Sequence, residues 1–322
     1  MKCAEGPEES VLVAELEARM GVQGIRLMRI QPDCVSKAYR AMRSDGTAFF
    51  TKWSRVDSAK ALGFLSAVQP DPILPQPIKS GTFAFCDGWV TSYVWRESTS
   101  VSLERMTDAQ FSSFCTAYCR LTRALQAAPE VGAQVDGDAL MARIRAYARQ
   151  FPLLKGLLAN LLSLEREDYA YSADTPQVVI HGDLHTGNFG FADDGSLFFC
   201  DFDLLARGSE VDDLAFLLGE HVRRSGMSRS GISRLLHRRD QLIRLVGRPL
   251  SDWRVALNLL HLRMADKLIA RHPHDVRTMW NVLIRDRRLR ILLKGLRPTA
   301  PTAPLAQRGR RGFELMRIVY SG

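Results

Sequence analysis

The stretch "VVIHGDLHTGNFGF" (178–191), followed by "LFFCDFD" (197–203), decides how the chain reads. It places His181, Asp183, His185 and Asn188 within eight residues, then ends an apolar run on Asp201 and Asp203. A loop that only reverses the chain needs small or turn-forming residues and has no use for so many titratable and amide groups. This one is built to hold a proton acceptor and a metal. "PQVVI" (176–180) reads as a short buried strand leading in, and "FGFADDGSLFFC" reads as a hairpin turning at Asp194-Gly195.

Working outward, "ESVLVAELEARM" (9–20) has the spacing of a short amphipathic helix. "IRLMRI" (25–30), "KAYRAMRS" (37–44) and "AFFTKW" (48–53) are strand-like, the last two joined at Asp45-Gly46. "VDSAKALGFLSAV" (56–68) returns to helical spacing, with Asp57 as N-cap. After the proline-rich "QPDPILPQP", "IKSGTFAF" and "WVTSYVW" form a second hairpin joined at Asp87-Gly88. "MTDAQFSSFCTAYCRLTRALQ", capped by Thr107, and "GDALMARIRAYARQF" are long helices. From Glu210 to about 296 four or so helices follow, and "RPTAPTAPLAQRGRRG" reads as a loosely ordered tail. The expected organisation is a small β lobe over 1–95, a helical lobe over 96–300 and a tail over 301–322: an α+β fold in two lobes.

The chain of 322 residues is 46% hydrophobic, enough for a sizeable core. No apolar run approaches the roughly 20 residues that span a bilayer. "MKCAEGPEES" has no apolar signal core, so a cytoplasmic location is expected. Cys3, Cys34, Cys86, Cys115, Cys119 and Cys200 are irregularly spaced and read as free thiols. Net charge is +9, unevenly spread: residues 221–322 hold 23 Lys+Arg against 6 Asp+Glu, the first 220 hold 21 against 29. A basic third of this kind is either a set of solvated helix faces or a site for something anionic.

A β-hairpin lobe, a connector and a helical lobe with this loop in it form the layout of protein-kinase-like enzymes. "HGDLHTGN" resembles their catalytic loop, with Asp183 and Asn188 at the H-R-D-x-x-x-x-N spacing, and "DFD" resembles the metal-binding DFG position. "HGDLHTGN", "DFD" and "EVDDLA" together more closely resemble the aminoglycoside phosphotransferase and choline kinase superfamily, from about residue 25 to 270. The resemblance implies transfer of a γ-phosphoryl group from ATP or GTP to a hydroxyl, an event in which the enzyme mainly positions groups and offsets charge. Asp183 is then the base that accepts the hydroxyl proton. Asn188 and Asp201 hold Mg²⁺, which prefers oxygen ligands from one or two protein groups plus the phosphates. Lys52 in "FFTKW" stands where the family keeps its phosphate-binding lysine, and the backbone of Tyr93 and Val94 stands where the inter-lobe connector meets the base. His181 braces the loop; His185 does the same or touches the phosphate. Asp203 supports the metal segment, and Asp213 resembles the buried Asp that holds the catalytic loop.

The departures are as informative. "QPDCVSKAYRA" has no glycine, so Ser36 and neighbouring amides take the place of a Gly-rich phosphate loop. The 56–68 helix has no Glu to pair with Lys52, which leaves Asp57 as a substitute. Gly182 replaces the Arg that reads a phosphorylated activation loop, and only nine residues separate Asp203 from Asp213. Both favour a small-molecule acceptor over a protein. The family builds its acceptor pocket from the helices after "DFD", here the basic third; a polycationic aminoglycoside suits that poorly, and an anionic or neutral sugar suits it better. Trp253 and Trp280 are candidates to line the pocket, with buried core as the alternative. A nucleotide-binding pseudokinase or scaffold is the second reading, motivated by the missing Glu and glycines. Nucleic acid is not an expected partner. A weaker reading sends the basic amphipathic "IRDRRLRILLKGLR" (284–297) to an anionic surface. The sequence carries no mark of oligomeric state.

Overall fold

Five antiparallel strands form the N-terminal sheet in the order β1-β2-β3-β5-β4. They are β1 (Arg26–Gln31), β2 (Ser36–Met42), β3 (Ala48–Ser54), β4 (Phe83–Phe85) and β5 (Gly88–Val94). The computed structural model describes residues 8–31, 36–55, 59–68, 70–126, 136–151, 155–156, 158–224, 229–271, 291–293 and 296. The Asp45-Gly46 turn is present, with Asp45 Oδ1 accepting from the Thr47 amide at 2.8 Å. The second hairpin forms as well, but Phe85 pairs with Gly88, so Cys86-Asp87 make the turn and not Asp87-Gly88. Gly88 is there for a different reason: a Cβ on it would lie 2.5 Å from the Ser54 carbonyl oxygen.

Helix α1 (Glu9–Met20) covers one face of the sheet, burying Leu12 and Leu16 against Tyr39, Phe49, Trp53 and Val90. Helix α2 (Ala59–Ala67) does not join that cluster. Its Ala61, Phe64 and Leu65 belong to the large core of the helical lobe, and the Phe64 ring lies 5.4 Å from that of Phe202 in "DFD". Asp57, the expected cap, lies outside the described residues.

The second lobe opens with α3 (Asp108–Gln126) and α4 (Gly137–Gln150). Thr107 caps α3 as expected: its Oγ1 accepts from the Gln110 amide at 3.1 Å, and Gln110 Oε1 accepts from the Thr107 amide at 3.0 Å. Two short helices follow, α5 (Ala159–Leu162) and α6 (Arg166–Tyr169). Four short strands then carry the motif: β6 (Val178–Ile180) pairs with β9 (Ala206–Gly208), and β7 (Phe189–Phe191) pairs with β8 (Leu197–Phe199). The chain continues into α7 (Glu210–Arg224), α8 (Arg229–Val246) and α9 (Leu250–Arg271).

The β7–β8 hairpin rests on α3, with the Phe114 ring 5.3 Å from Phe189 and 6.3 Å from Phe199. All three rings are almost fully buried, and each contributes on the order of 1.5–3 kcal/mol by leaving water. A second cluster joins Leu140, Met141 and Ile144 of α4 to Leu259 and Leu262 of α9. Trp253 is part of the main core with none of its surface exposed, so it does not line an acceptor pocket. Trp280 and most of 284–297 lie outside the described residues. Cys86, Cys115, Cys119 and Cys200 are free thiols, as their spacing suggested. No helix among the described residues is long and apolar enough to cross a membrane.

Candidate active site

The loop between β6 and β7 is pinned at both ends. At its start, buried Asp213 of α7 accepts from the backbone amides of His181 and Gly182, both at 2.8 Å. The Gly182 backbone adopts φ +79, and a Cβ there would fall 1.9 Å from the Leu204 carbonyl oxygen, so the position admits only glycine. The His181 ring is fully buried, its Nε2 2.9 Å from the Cys200 carbonyl and its face 4.7 Å from the Phe202 ring. At the far end, Cys200 N–H donates to the Asn188 carbonyl at 2.9 Å, which ties the loop to the strand leading into Asp201.

Asp183 and Asn188 meet inside this frame. Asn188 Nδ2 donates to the Asp183 carbonyl at 2.8 Å and lies 3.4 Å from Asp183 Oδ2. The amide nitrogen is thereby used within the loop, which leaves Oδ1 for a ligand. His185 accepts from the Gly187 amide at Nδ1 (2.9 Å), so its neutral form carries the proton on Nε2, 3.7 Å from Asp183 Oδ2. Burial pushes the Asp183 carboxyl above its ordinary value, with His185 pulling the other way.

Asp201 follows β8 in a left-handed conformation, φ +64 and ψ 64. Asp tolerates this region better than most residues, at a cost of about 1–2 kcal/mol. The turn aims its carboxylate at Lys52 of β3, whose Nζ lies 2.7 Å from Asp201 Oδ1 and 3.0 Å from Asp203 Oδ2. Among the described residues the lysine is held by both acids of "DFD"; Asp57, the substitute the sequence offered for the missing helix Glu, lies outside them. Burial alone depresses the Lys52 ammonium, and the two carboxylates outweigh it and raise the group above an ordinary lysine. Burial likewise lifts Asp201, and Lys52 overrides it, holding that carboxyl below the usual range.

Lys52, Asn188, Asp201 and Asp203 line one cavity of about 260 Å³ between sheet and helical lobe, together with Ser36, Tyr93 and Val94. Asp183 stands beside it through Asn188. The Val94 N–H is donated to the Gln76 carbonyl at 3.0 Å, so it is not available to a base. The backbone leaves strand pairing at Trp95, and Trp95 and Arg96 continue the cavity wall. These two were missed in the sequence because the end of β5 is set by pairing with β3 and the 76–78 segment. Among the described residues no group of three or more His, Cys, Asp or Glu could bind a metal unaided. Mg²⁺ needs only one or two protein oxygens and completes its shell with phosphate and water; the Asn188 amide oxygen and the Asp201 carboxylate, both on this cavity, could serve as such a pair.

Known proteins bear on this arrangement. The sequence model of APH, described as the phosphotransferase enzyme family, matches residues 48–255. No curated protein matches the chain. Among solved structures, the amicoumacin kinase hAmiN in complex with AMP-PNP, Ca²⁺ and Ami is 15% identical with TM-score 0.57, covering 88% of this chain and 94% of its own. An aminoglycoside phosphotransferase from Alicyclobacillus acidocaldarius is 14% identical with TM-score 0.60, covering 91% and 96%. The spectinomycin phosphotransferase APH(9)-Ia, in complex with ADP and spectinomycin, is 13% identical with TM-score 0.58, covering 91% and 96%. At these identities the likeness is one of fold.

Proposed function

The chain belongs to the phosphotransferase enzyme family, and on that premise we propose that it moves the γ-phosphoryl group of ATP or GTP to a hydroxyl of a small molecule with Asp183 as base. As a family member it is a small-molecule phosphotransferase; the residue roles, metal and acceptor are the proposal. The observation that carries it is the convergence of Asn188, Asp201, Asp203 and Lys52 on one cavity with Asp183 at its edge. Two of these neighbours, the amicoumacin kinase solved with AMP-PNP and Ca²⁺ and the spectinomycin phosphotransferase solved with ADP, support a nucleotide donor.

In this reading Lys52 binds the phosphates and Asp203 holds Lys52 in place. Ser36 faces the phosphates from the start of β2. The connector from Tyr93 and Val94 into Trp95 and Arg96 flanks the base, with Trp95 and Arg96 offering the unpaired backbone. Asn188 and Asp201 would hold Mg²⁺, which offsets phosphate charge when bound with the nucleotide. Asp183 takes the acceptor proton, and its raised affinity for a proton suits it to that task. His181 and Asp213 fix the loop, and His185 orients and charges the Asp183 carboxylate. The lobe boundary is drawn near residue 95, with 96–300 as the acceptor-bearing lobe and 301–322 as a tail.

The test is nucleotide consumption with Mg²⁺ across sugars, sugar acids, aminoglycosides and amino alcohols, with Asp183→Asn as control. Acceptor-dependent turnover that the variant loses by about 10²-fold or more, while nucleotide still binds, supports the reading. Nucleotide binding without transfer to any acceptor would favour the scaffold reading instead.

A further inference from the structure

We propose that the acceptor carries an anionic group, a carboxylate or a phosphate, which Arg263 and Lys267 of α9 hold beside Asp183; this rests on the phosphotransferase reading above. A run of contacts leads there from the catalytic loop. His185 Nε2 lies 3.7 Å from Asp183 Oδ2, the His185 ring is 6.4 Å from Phe216 of α7, and the Arg263 guanidinium lies over Phe216 at 5.8 Å from its centroid. Lys267 is one turn further along α9 on the same face. It is exposed, and its charge acts on the Asp183 carboxyl.

Neither cation has a hydrogen bond or ion pair among the described residues. Among the described side chains, the acids around these two are committed elsewhere. Glu210 pairs with Arg248 at 2.8 Å and Asp266 with Arg143 at 3.0 Å. Asp213 accepts from the His181 and Gly182 amides, and Asp212 from the Tyr171 hydroxyl and the Ser209 amide. Arg263 feels Asp212 and Asp213 through space, but those two carboxylates already have their hydrogen bonds.

A site for a polycation requires unspent carboxylates, and among the described residues this face of α9 presents two positive groups instead. The Phe216 ring lies under the Arg263 guanidinium, whose planar fork suits a carboxylate or phosphate. A lysine one turn away adds a second charge on a flexible stem. The pair therefore selects for a hydroxylated acid and against an aminoglycoside, which would bring like charges together.

The experiment compares four probes with similar hydroxyls: glucose, gluconate, glucose 6-phosphate and glucosamine. Transfer from labelled ATP with Mg²⁺ is measured for the wild-type chain and for R263Q, R263K, K267Q and D183N. One or both anionic probes should show the lowest KM, and which of the two does so separates a carboxylate from a phosphate source. R263Q and K267Q should each raise that KM about ten- to a hundredfold, the worth of a lost hydrogen bond to a charged group, with kcat changed less. R263K should recover part of the loss. Thermal melting of each variant separates misfolding from lost recognition; if R263Q unfolds, K267Q, which changes an exposed side chain, decides. A preference for glucosamine or glucose, or an unchanged KM for the anions in K267Q, overturns the proposal while leaving the phosphotransferase reading intact. Turnover that survives in D183N removes Asp183 as the base, the reading on which the proposal rests; nucleotide binding with no transfer to any of the four probes overturns the proposal, and the broader acceptor panel then tests the phosphotransferase reading by itself.

Discussion

Replacing Asp203 by Asn tests how this chain manages without a glutamate on α2. The lysine lies 3.0 Å from Asp203 Oδ2 and 2.7 Å from Asp201 Oδ1, with 13% of its side chain exposed. Stripping a buried ion of its only partner costs about 3–5 kcal/mol. Asn keeps the shape of Asp203 and Lys52 keeps Asp201, so the expected loss is smaller, about 1–2 kcal/mol, or roughly five- to thirtyfold in nucleotide affinity. The lysine would then lean wholly on Asp201, the proposed metal ligand, and compete with Mg²⁺ for it. Nucleotide KM and half-saturating Mg²⁺ should therefore rise together in Asp203→Asn. The assay is turnover against nucleotide at several Mg²⁺ concentrations, with nucleotide titration at equilibrium and Asp57→Asn alongside. If Asp203→Asn leaves both quantities at wild-type values, or Asp57→Asn disturbs them as much, the assignment of the lysine's partner is wrong.

Two further outcomes follow from the loop and its support. Gly182→Ala forces a Cβ to within 1.9 Å of the Leu204 carbonyl and strains a φ of +79; it should cost about 2 kcal/mol or more and lower Tm by several degrees in calorimetry, with kcat falling because Asp183 is the next residue. Burial raises the Asp212 carboxyl to about 6, so the folded state binds this proton more tightly than the unfolded chain. The stability it contributes is fully present below about pH 4 and is lost as pH rises through about 6, at most about 3 kcal/mol. Asp212→Asn has no proton to lose, and its Tm should fall less between pH 4 and 7 than that of the wild-type chain; equal falls would mean that Asp212 does not drive the change.

The elements that were legible are those whose cause is local. The Asp45-Gly46 and Asp194-Gly195 turns, the Thr107 cap and the 3.6-residue spacing of α1, α3 and α4 each lie within a few residues of what they determine. The catalytic loop was legible for a chemical reason: a base and a metal ligand held on one short loop must sit at a fixed spacing, here Asp183 to Asn188. What stayed hidden depends on distant parts of the chain. Lys52 meets acids 149 and 151 residues away, and no local pattern points from "FFTKW" to "DFD". Gly182 read as the loss of an arginine, whereas Leu204 forbids any side chain there. Arg263 and Lys267 were lost in the charge count of the basic third; only the packing of α9 on α7 sets Arg263 over Phe216, near the catalytic loop. Trp253 was offered for the pocket, with buried core the commoner fate of Trp, and its full burial assigns it to core.

The missing glutamate and the placement of α2 have one physical account. A helix that carries the lysine's partner can break or make that ion pair by moving. Here α2 has no acid over Ala59–Ala67 and is built into the helical lobe's core through Ala61, Phe64 and Leu65. Moving it would expose Phe64 and part it from Phe202, at a cost of about 1.5–3 kcal/mol for the phenylalanine alone, without releasing Lys52. The lysine answers instead to "DFD", whose position is set by β8, by Phe202 against His181 and Phe64, and by Asp213 through the catalytic loop. Lysine, proposed metal ligand and proposed base thus share one support, and a disturbance of that support, as in Gly182→Ala, should reach all three at once.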